Sequence, residues 1–241
     1  IVGCLDSVDF ADEAIVVDSG STDRTVALAR ERGAHVVVTQ DWPGFGPQKN
    51  RALEHATGQW VLSIDADERV TPQLRQAVLD AIAQPRFDAY EVNRRSSYCG
   101  QYMRHSGWSP DWVVRLARRG TARFSDSVVH ERLLPTGASG RLPGLLLHES
   151  MRDFESVIDK IDRYSTAGAQ ALLAKGVKGS MTKSLAHGFW AFLRTYVLRL
   201  GFLDGRLGLA LAISNAEGTY YRYLKLWLLQ RRAAGNEAGP R

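Results

Sequence analysis

The sequence predicts an α/β fold with a mixed sheet over residues 1–150, then a helical region over 151–232 and a short tail over 233–241. Two observations carry this. Between Ala14 and about Ser150, short β-branched runs alternate with amphipathic helical patterns, as in a sheet covered by helices. From Met151 the period changes: Phe154, Val157, Ile158, Ile161 and Tyr164 recur at helical spacing, and the pattern continues to about Arg232.

Each element follows from its own residues. The run over 14–18 is a buried strand ending in Asp18. Ser21, Thr22 and Asp23 then cap a helix, because their oxygens accept from the free N–H groups of a first turn, and Gly33 ends it. Residues 34–38 form the next strand. The stretch 40–47 sets two prolines and two glycines around Trp42 and Phe45, a loop composition, ahead of a helix over 48–56 and a strand over 59–65. Thr71 and Pro72 open another helix, with Leu74, Ala77, Val78, Ala81 and Ile82 on its inner face. Strands over 89–93, 113–117 and 142–148 follow without long helices between them, so the sheet is expected to turn antiparallel or mixed.

Composition narrows the classes. With 44% hydrophobic and 24% charged residues in 241, the chain is neither disordered, collagen-like nor a polytopic membrane protein. Cys4 and Cys99 are too few and too isolated for a disulfide framework or a cysteine zinc site, which points to reduced thiols in the cytoplasm. Residues 1–8 begin with Ile1 and lack a signal-peptide pattern, so an upstream portion is expected to precede them.

A net charge of +5 calls for an anionic partner: nucleic acid, a phosphorylated substrate or an acidic membrane surface. From Lys178 to Arg232 nine basic residues face only Asp204 and Glu217, interleaved with Phe189, Trp190, Tyr196, Phe202 and Trp227. The apolar runs stop short of the roughly 20 residues a membrane span requires. The region reads either as a peripheral, membrane-docking surface or as helices that cover the sheet with solvated arginines. A nucleic-acid-binding module is a competing reading, but no nucleic-acid signature is present and the acidic cluster at 65–68 would repel phosphate, so no nucleic acid is expected.

Two motifs could carry chemistry. Asp18-Ser19-Gly20-Ser21-Thr22-Asp23 places a carboxylate and a donor-rich turn at a strand end, where open α/β sheets bind ligands; a plain capped turn reads the same way. Asp65-Ala66-Asp67-Glu68 crowds three carboxylates at another strand end, which favours a divalent, oxygen-loving cation or else a solvated acidic turn.

Taken together, Ile15-Val-Val-Asp-Ser-Gly-Ser-Thr-Asp23, Gly44-Phe-Gly-Pro-Gln-Lys-Asn50, Trp60-Val-Leu-Ser-Ile-Asp-Ala-Asp-Glu68, Val129-His-Glu131 and Leu200-Gly-Phe-Leu-Asp-Gly205 resemble the family-2 glycosyltransferases of the GT-A fold. The resemblance is to the branch that adds β-1,4-glucose to the lipopolysaccharide or lipooligosaccharide core. It implies a GT-A mixed sheet missing its first strand, with a C-terminal helical extension. It implies an inverting transfer from a UDP-sugar, with Mg²⁺ or Mn²⁺, to a lipid-linked core oligosaccharide at the cytoplasmic face of the inner membrane; transfer to a polyprenyl phosphate is the alternative within enzymes, and a catalytically dead membrane-docking scaffold is a third reading. By the same resemblance Asp18, Ser19, Ser21, Asp23, Lys49, Asn50 and Asp65 belong to the nucleotide site, Asp67 with Asp65 and His148 to the metal, and Glu131, or else Asp111, is the general base. Trp108 and Trp112 flank Asp111, as sugar-stacking or as core aromatics. Residues 1–10 resemble the end of a helix that normally follows an apolar strand of the nucleotide site, so UDP binding is expected to be weak without that strand and restored with it.

Overall fold

The computed structural model describes residues 1–126 and 131–237; the strand-like stretch 127–130 lies outside the described residues. In chain order the elements are α1 (Val2–Asp6), β1 (Ile15–Asp18), α2 (Thr25–Glu31), β2 (His35–Val38), α3 (Phe45–His55), β3 (Trp60–Leu62), β4 (Glu68–Val70), α4 (Pro72–Ala83), β5 (Ala89–Tyr98), β6 (Gln101–Tyr102), β7 (Asp111–Arg118), β8 (Ala122–Phe124), β9 (Leu133–Pro135), β10 (Ser139–Met151), α5 (Phe154–Ala174), α6 (Met181–Leu193) and α7 (Gly205–Glu237). They divide into two compact units, one of Ile1–Arg95 with Asp111–His148, the other of Ser96–Pro110 with Glu149–Arg241.

In the first unit β1 and β2 pair in parallel, Val16 opposite Val36. A separate mixed sheet runs in the order β3-β7-β5-β10-β4, antiparallel at β3–β7, β5–β7 and β10–β4. Its core is Leu74 and Val78 of α4 against Tyr90, Leu116 and Leu146 of the strands. The inner face of α4 is the one its spacing predicts, and Thr71 caps it, the hydroxyl accepting from Leu74 N while donating to Leu145 O at 2.8 Å.

Three local expectations change. The helix after the loop begins at Phe45, not Gln48, because Pro47 falls in its first turn, where a missing N–H has no helical partner to lose. The N-cap position of α2 falls on Arg24, and Asp23 just ahead of it accepts from Thr25 N at 2.9 Å, while Ser21 turns back to Asp18. The strand over 59–65 shortens to Trp60–Leu62, and its last residues enter a tight turn in which Glu68 N donates to Asp65 O.

In the second unit α5 and α6 pack along α7. Tyr98, Met103, Val157 and Leu211 form its core, and the Tyr98 hydroxyl meets Ser214 Oγ at 2.8 Å. Buried Asp204 accepts from Arg104 N, His105 N and Ser106 Oγ, which fixes the turn before α7. No helix among the described residues is long and apolar enough to cross a membrane.

Candidate active site

Strand ends of the first unit assemble the candidate groups. At the end of β1, Asp18 is buried and its Oδ1 accepts from Gly20 N and Ser21 N, both at 2.9 Å, while Oδ2 accepts from the Ser21 hydroxyl. Burial works to raise this carboxyl, and the three donors outweigh it and hold it below the usual range. Asp18 thus shapes the 19–23 turn. Ser19, next along, accepts from buried Gln48 Nε2, which also donates to Thr39.

At the second strand end, Asp65 lies between two cations. Lys49 Nζ is 2.6 Å from Oδ1 and Arg115 Nη2 is 2.9 Å from Oδ2. Burial would raise its pKa, but Arg115 and Lys49 hold it far below the usual carboxylate range. Both oxygens of Asp65 thus face a cation. Arg115 also reaches fully buried Glu68 at 2.6 Å, and those two carboxylates keep its guanidinium charged against the cost of burial. Glu68 in turn is 3.8 Å from Arg94, which grips Asp111 through Nε and Nη2 at 2.9 and 2.8 Å.

Lys49 Nζ carries the network the other way, 2.7 Å from Glu131 Oε1 and over the ring of Phe124. Close approach makes this contact: at Gly46 a β-carbon would strike the Ser125 carbonyl, so only glycine lets α3 bring Lys49 here. One chain of alternating charge therefore runs Glu131, Lys49, Asp65, Arg115, Glu68, Arg94, Asp111. It joins both candidate bases to the acidic turn.

Asp67 stands beside this chain, with Oδ2 3.4 Å from His148 Nε2. Among the described residues no cluster of three or more His, Cys, Asp or Glu is arranged around a metal position. The pair still suits a divalent cation: Asp67 is the exposed carboxylate of the turn, 41% accessible at its side chain, and an imidazole stands within reach of the same point. A cation held by two protein groups must take its remaining ligands from water and a phosphate-bearing partner.

A cavity of about 630 Å³ opens between β1 and β3, with apolar walls such as Val16, Leu62, Val78 and Leu116 and a polar end at Ser19, Gln48, Lys49 and Asp65. Trp42 and Phe45 also line it, stacked edge to face at 4.9 Å and both exposed.

Several expected residues have other tasks. Asn50 is buried and spends both ends of its amide on the main chain of Phe124, at 3.1 and 2.8 Å, tying α3 to β8. Asp23 accepts from Thr25 N at the start of α2. Trp112 carries the Arg141 guanidinium at 4.7 Å, and Trp108 packs edge-on to Tyr98. Sequence reasoning missed Arg94, did not place Arg115 among the carboxylates of the acidic turn, and gave Gln48 and Glu68 no role of their own. The one signal was an arginine inside the apolar run 113–117, a position that demands buried carboxylates.

The family model described as glycosyl transferase family 2 matches residues 2–136. The chain belongs to that family. Among its relatives, the lipopolysaccharide core biosynthesis glycosyltransferase LpsC of Rhizobium meliloti is 32% identical over 248 residues, 96% of this chain and 87% of that protein. An uncharacterized glycosyltransferase of Rickettsia prowazekii is 31% identical over 94% of this chain and 82% of its own length. The S. aureus TarS 1-349 structure with UDP-GlcNAc aligns over 95% of this chain and 87% of that chain, at 14% identity and a TM-score of 0.47. The mixed sheet with C-terminal helices is a GT-A-like arrangement, so this family-2 glycosyltransferase has the fold its motifs implied.

Proposed function

We propose that this glycosyltransferase moves a hexose, glucose by its resemblance, from a UDP-sugar to a lipid-linked lipopolysaccharide core acceptor with inversion, at the cytoplasmic face of the inner membrane. One observation carries the reading. Among the described residues, four carboxylates (Glu131, Asp65, Glu68 and Asp111) pair with three permanent cations (Lys49, Arg115 and Arg94) and a fifth, Asp67, with His148, a deficit that one divalent cation would balance. LpsC, a relative over most of the chain, is named for core biosynthesis, which supports the acceptor class.

Asp67 and His148 would hold Mg²⁺ or Mn²⁺, which would supply positive charge to the departing diphosphate. Lys49 adds a second charge at the polar end of the cavity, and the 19–23 turn offers N–H and hydroxyl groups to the nucleoside. Glu131 takes the proton of the acceptor hydroxyl as that oxygen bonds to the anomeric carbon, the sugar–phosphate bond breaks and UDP leaves with its electron pair. A single displacement inverts the anomeric centre. Asp111, held by two nitrogens of Arg94, is the alternative base.

Titration calorimetry with UDP, with and without Mn²⁺, tests the donor half: binding that requires the metal is expected. Product analysis with UDP-glucose and core oligosaccharide acceptors tests the rest; transfer only to polyprenyl phosphate would move the acceptor assignment.

A further inference from the structure

The second unit contains a helix built inside out. Along α6 the small residues Ser184, Gly188 and Ala191, continued by Thr195, are buried. At Gly188 a β-carbon would lie 3.0 Å from Tyr220 Cβ, so the helices meet at the backbone. The large apolar residues face away: Leu185 is 58%, Phe189 66% and Trp190 53% exposed. An amphipathic helix in water does the reverse.

The turn that follows continues the same pattern. Val197, Leu198, Leu200, Phe202 and Leu203 are exposed within one short stretch, and Leu200 takes a φ of 55°, which costs energy for a residue with a β-carbon. The turn cannot fold these side chains away, because Asp204 is tied to the 104–106 main chain and Ser106 N donates to Arg199 O at 2.8 Å. Lys183, Arg194, Arg199 and Arg206 are exposed around it, and between residues 181 and 206 the only acid is buried Asp204.

We infer that α6 and this turn form a docking wedge for an anionic lipid surface. The apolar side chains enter the headgroup and upper acyl zone while the four basic residues sit among the phosphates. A second copy of the chain is a poor occupant, because a self-complementary contact would bring the same uncompensated cations together. The wedge deepens the reading of a lipid-linked acceptor, but its binding does not depend on sugar transfer.

The test is cosedimentation with phosphatidylcholine vesicles, with and without a phosphatidylglycerol fraction. The full chain is expected to bind the anionic vesicles and to release as salt rises. The variant Phe189→Ser/Trp190→Ser is expected to lose at least tenfold in partition, and Arg194→Gln/Arg199→Gln to lose roughly fivefold per charge, on anionic vesicles only. Both sets of side chains are exposed, and an unchanged thermal midpoint checks that each variant is folded. Equal vesicle binding by the chain and the Phe189/Trp190 variant overturns the wedge. So does a lipid-free dimer, seen in sedimentation velocity, that the same substitutions disperse. UDP binding measured on the same preparations separates the two readings: vesicle binding without UDP binding refutes the donor assignment and leaves the wedge, and the opposite result does the reverse.

Discussion

Lys49 donates to Glu131 Oε1 at 2.7 Å while its ammonium also lies 2.6 Å from Asp65 Oδ1. One flexible cation therefore couples the proposed base to the acidic turn, and an arriving diphosphate competes with both carboxylates for it. Replacing it by Met is expected to lower transfer by about 10²–10³-fold, the scale for loss of one charged donor at a developing anion. Initial rates at saturating donor measure this, and an intact rate would remove Lys49 from the site.

The two candidate bases differ in their partners. Glu131→Gln keeps shape and removes the proton acceptor, so kcat is expected to fall by roughly 10²–10⁴-fold with UDP affinity unchanged. Asp111→Asn is expected to cost less than about tenfold, the scale of a partly exposed ion pair. The opposite ranking would make Asp111 the base.

Asp67→Asn is expected to abolish the effect of Mn²⁺ on UDP affinity and to cut transfer by at least roughly a hundredfold. Chelation of the unsubstituted protein is expected to give the same low rate, restored on adding the metal back. Asp65→Asn, whose oxygens hold cations already, is expected to retain a metal response.

Arg115 is a matter of stability first. Its loss in Arg115→Met leaves fully buried Glu68 with only Arg94, at 3.8 Å, to balance it. Breaking a buried pair from one side costs about 3–5 kcal/mol. Urea unfolding measures the change.

Acid is expected to weaken the first unit at its two strand ends together. Asp18 and Asp65 both have folded-state pKa values below the ordinary value of 3.8. A carboxyl depressed on folding stabilises above its unfolded pKa, and that contribution drains away as pH falls through the lower folded value. Stability is therefore expected to hold above about pH 4 and to fall below it. Asp18→Asn is expected to flatten that acid limb in thermal melts.

The cap at Thr71 with Pro72 and the strand end at Asp18 were legible in the sequence because local chemistry makes them, whereas the strand before Asp65 ends three residues early, at Leu62. The charge chain was not legible. Strand alternation would set Arg115 with Val113 and Ala117, but a bulge opposite Tyr90 and Glu91 breaks it, leaving Val113 in the cluster of Leu116 and Ala117 in that of Val114, and nothing local shows that Glu68 will stand opposite Arg115, since that depends on β7 lying within a sheet whose far edge is β4. Asn50 misled for the same reason: an amide beside a lysine looks like a ligand group until a hairpin some seventy residues away claims both its ends. That hairpin, β8 and β9, has strands of three residues, too short to display a period.

The division between the β1–β2 pair and the larger sheet has a mechanical meaning. Among the described residues β1 hydrogen-bonds as a strand to β2 alone, and across the cavity from it β3 pairs with β7 alone. The Asp18 turn thus rides on a two-stranded ladder braced by side-chain packing, and such ladders are marginal by themselves. Amide exchange at Val17 and Asp18 will outpace that at Val92 in the centre of the larger sheet. Whatever fills that apolar gap will stiffen the turn from behind, so under the proposed function affinity for the nucleotide would be set partly by a volume the nucleotide need never touch.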